Sequence, residues 1–214
     1  MTTPPTTFED SYRRGEPPWV IDQPQPAVVA LERAGALTGP VLDLGCGTGE
    51  HTILLARLGY DVLGADAAPA AIERARERAR AAGVAAEFTV ADAMDPAALG
   101  RFATVLDSAL FHVFGPEDRA RYARALTDVV DPGGRVVVLA LSTRGPGFGP
   151  QIDDDAVPAA FAAPEWTVEG LEETTYRGRV THPDQAGATG RAVGELVDLP
   201  AVVARIRRAG DGAD

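Results

Sequence analysis

The 214-residue chain has no lysine and no asparagine, so every cationic side chain other than its 3 histidines is arginine. That bias reads as coding preference rather than chemistry. A single cysteine, Cys46, excludes an internal disulfide and leaves too few thiols for a cysteine-held metal cluster. No apolar run approaches the roughly 20 residues that cross a bilayer, so no membrane partner is expected. Met1-Thr2-Thr3-Pro4-Pro5 has neither the basic region nor the apolar core of a secretory leader. With one thiol, that makes a reducing, cytoplasmic setting the expectation. Positive charge is also scarce: 20 arginines face 31 acids, a net charge of −11. Such a surface repels polyanions, and tight nucleic-acid binders carry a basic face, so no nucleic-acid partner is expected. The oligomeric state is left open.

What is present is an ordinary globular balance, 45% apolar and 24% charged, at a length that suits one domain. Proline and glycine punctuate a strand–helix alternation, the pattern of a doubly wound α/β sheet with helices on both faces. The pattern predicts strands over 41–44, 61–65, 86–91, 104–108 and 135–141. Helices are predicted over 27–35, 50–58, 70–82 and 117–129, the last broken by Asp131-Pro132-Gly133-Gly134. Strands over 167–176 and 193–207, with no obvious helix between them, suggest an antiparallel finish. Pro17, Pro18, Trp19, Pro24 and Pro26 make a stiff, extended entry, and 143–150 is a Gly/Pro loop carrying Phe148. The run Asp153-Asp154-Asp155 reads as a solvated helix start.

The most informative stretch is Leu42-Asp43-Leu44-Gly45-Cys46-Gly47-Thr48-Gly49-Glu50. A strand that ends in three glycines and opens a helix lets backbone approach a ligand without a Cβ clash. The dinucleotide fingerprint is G-x-G-x-x-G, with glycine where this chain has Glu50. A carboxylate there opposes a pyrophosphate but tolerates a cationic sulfonium and an ammonium. Asp66 stands about 20 residues beyond the turn, where an acid accepts hydrogen bonds from ribose hydroxyls. Asp92, in Val90-Ala91-Asp92-Ala93-Met94, is placed to take an adenine amino group with Met94 against the ring. Asp43, Asp66, Asp92 and Asp107 all end strands, on one rim of the sheet.

The run 42–50, followed by Asp66, Asp92 and Pro132-Gly133-Gly134, closely resembles class I S-adenosylmethionine-dependent methyltransferases over residues 40–141. The resemblance implies a seven-stranded sheet with an antiparallel last strand. It implies that Asp43, Gly45 and Gly47, in the turn with Cys46 and Gly49, line the methionine part of the cofactor. Asp66 with Ala67 would meet the ribose, and Asp92, Ala93 and Met94 the adenine. Asp107 would contact or orient the backbone under the methionine group. A narrower resemblance rests on Trp19, on 43–51 and on Asp107-Ser108-Ala109-Leu110-Phe111-His112-Val113-Phe114. It points to the thiopurine- and thiol-methyltransferase-like group and to bacterial enzymes that methylate heterocyclic toxins. In that group the N-terminal segment folds over the cofactor, making Tyr12 and Trp19 a lid. The implied division is lid and helix over 1–38, cofactor core over 39–141, and substrate-side loop and last strands over 142–214. Beyond Leu141 the loop and residues 179–191 match no family pattern.

The expected acceptor pocket comprises Tyr12, Phe111, His112, Phe114 and Phe148. His112 is either a general base or a histidine packed among Leu110, Phe111, Val113 and Phe114. Cys46 reads as a packing residue, His51 as part of a helix start and His182 as a surface turn; none is spaced for a metal. No Asn/Asp-Pro-Pro-Tyr follows the fourth strand, which disfavours amino methylation of DNA bases. The expected function is methyl transfer from S-adenosylmethionine to sulfur, nitrogen or oxygen of a small aromatic, heterocyclic or thiol molecule. Two other readings stay open: a cofactor-binding protein that does not methylate (a cyclase, regulator or scaffold), and an NAD-dependent oxidoreductase.

Overall fold

The structure, a computed structural model, describes residues 2–15 and 17–210. Two helices, α1 (Pro5–Arg14) and α2 (Pro26–Arg33), precede an alternation of β1 (Val41–Leu44), α3 (Glu50–Arg57), β2 (Val62–Asp66), α4 (Pro69–Ala81) and β3 (Glu87–Val90). There follow β4 (Phe102–Ser108), α5 (Pro116–Leu126), β5 (Val130–Leu141), α6 (Ala156–Ala160), β6 (Trp166–Arg179), α7 (Pro183–Thr189) and β7 (Leu196–Arg208). Proline opens α1, α2, α4, α5 and α7, where its fixed φ is already helical and its missing N–H goes unneeded.

The seven strands lie in the order β3-β2-β1-β4-β5-β7-β6. The first five run parallel, and β7 is antiparallel to both β5 and β6. Every residue of β1 is buried, as expected of a central parallel strand covered on both faces. α4 packs through Ala71, Ile72, Ala75 and Ala79, a stripe at helical spacing. Leu44 pairs with Ala65 on one side and Asp107 on the other, so β1, β2 and β4 end level. The chain order reverses between β1 and β4, and the crevice at such a reversal is where open α/β sheets bind ligands. No helix among the described residues is long and apolar enough to cross a membrane.

Three local expectations are corrected. α1 lies in a stretch the periodicity left blank. α7 sits between the last two strands; His182 caps it, accepting from the Asp184 N–H while Gln185 accepts from the His182 N–H. The Asp131-Pro132-Gly133-Gly134 turn does not precede β5 but lies within it. Phe102 pairs with Val130 and Thr104 with Arg135, so the intervening residues loop out as a bulge, with Gly133 at φ +74°. α5 has by then ended at Leu126, where the Thr127 hydroxyl bonds the Arg124 carbonyl.

Gly64 shows how tight the helix–sheet packing is beneath the crevice. A Cβ there would lie 2.7 Å from both the Phe88 ring and the Thr52 hydroxyl. Gly64→Ala is therefore expected to destabilise the protein by about 1–3 kcal/mol through overpacking. Thermal unfolding without ligand checks this, and an unchanged melting temperature would contradict it.

Candidate active site

The turn after β1 folds back on its neighbour because the Gly45 and Cys46 N–H groups both donate to the Ala65 carbonyl, at 2.8 and 3.0 Å. Gly45, Gly47 and Gly49 take φ of +76°, +54° and +82°, a region that residues with a Cβ seldom adopt. Asp66 fastens the turn: its carboxylate accepts from the Gly47 N–H at 2.9 Å and the Ala68 N–H at 2.8 Å. Burial raises its pKa against those bonds.

Two further acids work from behind. Asp43 Oδ2 accepts from the Thr52 hydroxyl at 2.6 Å and backbone N–H at 3.1 Å, tying β1 to α3; Oδ1 is sealed without a partner. Burial lifts Asp43 to about 6. Asp107 Oδ1 accepts from the Leu110 and Phe111 N–H groups, each at 3.0 Å, and Oδ2 from the Tyr122 hydroxyl at 2.9 Å. Fully buried, it is pushed from its ordinary 3.8 to about 7. It sets the backbone of the short helical turn Phe111–Val113.

A cavity lies over the level strand ends. Toward β2 and β3 its wall is the glycine turn with Asp66, Ala67, Asp92 and Ala93. Toward β5, β7 and β6 it is lined by His112, Leu141, Phe148, Leu199 and Tyr176. The roof is α1 and the proline-rich segment after it. Trp19 Nε1 donates to the Tyr12 hydroxyl at 2.9 Å, and Phe8 meets Trp19 edge-on at 5.8 Å. A Cβ on Gly47 would lie 2.8 Å from the Tyr12 hydroxyl, so the roof rests on the turn itself. The Glu9 carboxylate accepts from the Ala70 N–H, and Arg74 donates to the Gly15 and Tyr12 carbonyls. The Gln25 amide bonds both backbone groups of Arg177, at 2.7 and 2.8 Å, hanging the rest of the roof on β6.

Both cavity histidines are engaged at one nitrogen. His112 Nδ1 accepts from the Leu141 N–H, and His51 Nε2 from the Gln25 N–H, each at 3.1 Å. Burial, helped at His112 by the cation of Arg119, holds each at about 4; Glu50 opposes this weakly at His51. The wall has three carboxylates, Glu50, Asp66 and Asp92, and among the described residues no arginine. No group of three His, Cys, Asp or Glu among the described residues could hold a metal ion.

Of the residues singled out from the sequence, Gly45, Cys46, Gly47, Asp66, Ala67, Asp92 and Ala93 line the cavity. So do Tyr12, Trp19, His112, Phe114 and Phe148. Asp43, Gly49, Met94, Asp107 and Phe111 are not on its wall. Gly49 faces Phe88 and Ala75, and Phe111 packs against Tyr122 and Phe161 in the core. Met94 lies against the core, its N–H held by Asp92 at 2.8 Å. His51, Gln25 and Tyr176 were missed as wall residues. His51 is one residue past the turn, which was a usable signal; Tyr176 reaches the cavity through strand order, and Gln25, just before α2, through its bonds to Arg177 of β6.

Residues 41–134 match the family model described as a methyltransferase domain. The chain is 36% identical over 181 residues to the 2-heptyl-1-hydroxyquinolin-4(1H)-one methyltransferase of Mycobacteroides abscessus, covering 77% of this chain and 78% of that protein. It is 35% identical over 138 residues to the ubiquinone biosynthesis O-methyltransferase of Cereibacter sphaeroides, covering 64% of this chain and about half (51%) of that one. One similar solved structure comes from work on the conversion of a disulfide bond into a thioacetal group during echinomycin biosynthesis. It aligns with a TM-score of 0.85 at 38% identity, covering 97% of this chain and 94% of that one.

The raised pKa of Asp107 has a definite sign. A carboxyl held above its unfolded value stabilises the fold fully below that value, and the contribution is lost as pH rises through the folded pKa. Asp107→Asn keeps an acceptor for the two N–H groups and cannot ionise. Its stability relative to the parent is expected to improve steadily from about 3.8 to about 7, then level off. Chemical denaturation across that range checks this; a difference independent of pH would contradict it.

Proposed function

This chain belongs to the class I S-adenosylmethionine-dependent methyltransferases and transfers a methyl group to a small molecule; on that premise we propose that the acceptor is a flat aromatic or heterocyclic molecule attacked through oxygen. The observation that carries this reading is the single cavity joining the glycine turn to an apolar end built by Leu141, Phe148 and Leu199. Two of the relatives support oxygen as the attacked atom, one named for a hydroxyquinolinone and one as an O-methyltransferase.

The residues fit the cofactor. A bare glycine turn with carboxylates and, among the described residues, no arginine on the wall suits a ligand carrying a sulfonium and an ammonium, whereas a dinucleotide's pyrophosphate would face three carboxylates and no wall cation. Gly45 and Gly47 would hold the methionine part, Asp66 and Ala67 the ribose, and Asp92 and Ala93 the adenine, under Tyr12 and Trp19. When bound, S-adenosylmethionine supplies an electrophilic methyl group on positively charged sulfur. The chain's own contribution is position and dryness. Tyr12, Trp19 and Phe148 shut out water, and the apolar end holds the acceptor ring, so alignment lowers the barrier. The whole chain reads as one domain of this kind. Its acidity supports a free small molecule over a nucleic acid, and its one buried thiol supports a reducing, cytoplasmic setting.

Incubation with methyl-labelled S-adenosylmethionine and a 2-alkyl-1-hydroxyquinolin-4-one, followed by mass spectrometry, is expected to show one label on the acceptor oxygen. Asp66→Ala removes a charged acceptor worth about 1.5–3 kcal/mol and should weaken S-adenosylhomocysteine binding by about 10–100-fold. Unchanged binding in that variant would contradict the assigned ribose contact.

A further inference from the structure

Building on the methyl-transfer reading above, we propose that His112 and His51 are a pair of neutral hydrogen-bond donors that select an acceptor arriving with an oxygen lone pair or an oxyanion. Neither takes the acceptor's proton. The two histidines come from different elements, yet each has one ring nitrogen occupied by a backbone N–H: Leu141 on His112 Nδ1, Gln25 on His51 Nε2. A nitrogen that accepts an N–H must keep its lone pair, so each ring is neutral and its proton sits on the other nitrogen. Those other nitrogens, His112 Nε2 and His51 Nδ1, have no hydrogen-bond partner among the described residues. Neither is among the sealed polar atoms, and both residues line the cavity. The cavity is thus furnished with N–H groups at two points, one from the turn after β4 and one from the first turn of α3.

The low pKa values agree with this tautomer argument. Protonating either ring would set an imidazole N–H against a backbone N–H, in a site where burial already disfavours the charge. The groups facing the rings reinforce the point. Arg119 of α5 opposes a charge on His112, and Glu50 only weakly favours one on His51. Of the other cavity carboxylates, Asp66 accepts from the Gly47 and Ala68 N–H groups and Asp92 from that of Met94. Glu50 accepts from the Thr48 hydroxyl at 2.7 Å and pairs with Arg78 at 3.1 Å. Burial raises Tyr12, Tyr176 and Cys46, which therefore stay protonated. An acceptor that arrives as an oxyanion needs no base: its oxygen would form a bond to the methyl carbon as the carbon–sulfur bond breaks. The electron pair of that bond would stay on sulfur, leaving the neutral thioether S-adenosylhomocysteine, and no proton passes to the protein. Two such donors on one cavity wall reward an acceptor that carries more than one oxygen acceptor, such as an oxyanion and a carbonyl on the same ring system.

Two measurements test this. Long-range proton–nitrogen correlation spectra of the imidazoles in the free protein, from about pH 5 to about pH 8, read the tautomers directly. Neutral rings are expected throughout, with the proton on Nε2 of His112 and on Nδ1 of His51. A bare lone pair on either cavity-side nitrogen, or titration near the ordinary histidine value, overturns the proposal. In the second, phenols of graded acidity are titrated calorimetrically into protein saturated with S-adenosylhomocysteine. The phenolate should bind more tightly than the phenol. His112→Asn, which keeps an acceptor near Leu141 but has nothing at Nε2, should lose about tenfold of that affinity. Equal affinity for both forms, or binding by neither, overturns it. Failure to saturate with S-adenosylhomocysteine would instead overturn the functional reading.

Discussion

The backbone between Gly45 and Gly49 must run left-handed at three positions and remain bare where it meets the cavity, and most of the surrounding structure serves that requirement. The Ala65 carbonyl gathers the first two N–H groups of the turn, and Asp66 takes the Gly47 N–H. Asp43 then anchors the first turn of α3 through Thr52. Gly64 leaves room for that Thr52 contact, and Gly49 for Phe88 and Ala75 beneath α3. From above, the Tyr12 hydroxyl closes on Gly47 and is fixed by Trp19. A side chain anywhere in this stack would separate layers that now touch.

The same crowding explains the unusual electrostatics. Asp43 and Asp107 sit within the sheet's covered end and cannot be solvated, so their pKa values rise even with two or three donors each. The histidines respond oppositely, being held neutral. The cavity therefore faces its ligands with carboxylates around the glycine turn and with two uncharged imidazoles. That combination suits a cationic cofactor meeting an electron-rich acceptor.

Much of this was legible in the sequence because its signals are local. The spacing of the three glycines and the acids at the ends of β2 and β3 depends on a few neighbouring residues, and Gly45, Gly47, Asp66 and Asp92 do line the cavity. Asp43 and Asp107 read the same way at the strand ends, yet they face inward. A strand-end acid can look toward the crevice or back into the fold, and only packing decides. His112 and Phe148 of the far wall were legible too, but the part carried by the last two strands was hidden for a different reason. Tyr176 and Leu199 enter through β6 and β7, placed by a sheet order in which β7 inserts between β5 and β6. Gln25 gains its role by pairing with a strand 152 positions away. The bulge in β5 was hidden because Pro-Gly-Gly signals a break equally well before a strand or inside one.

The central claim is that the bare turn and the carboxylates on the cavity wall hold a sulfonium-bearing cofactor and refuse a dinucleotide. Calorimetric titration of the protein with S-adenosylhomocysteine and, separately, with NAD tests it most directly. Micromolar or tighter binding of the first with none of the second is the predicted result. Comparable binding of NAD, or binding of neither, would contradict the account.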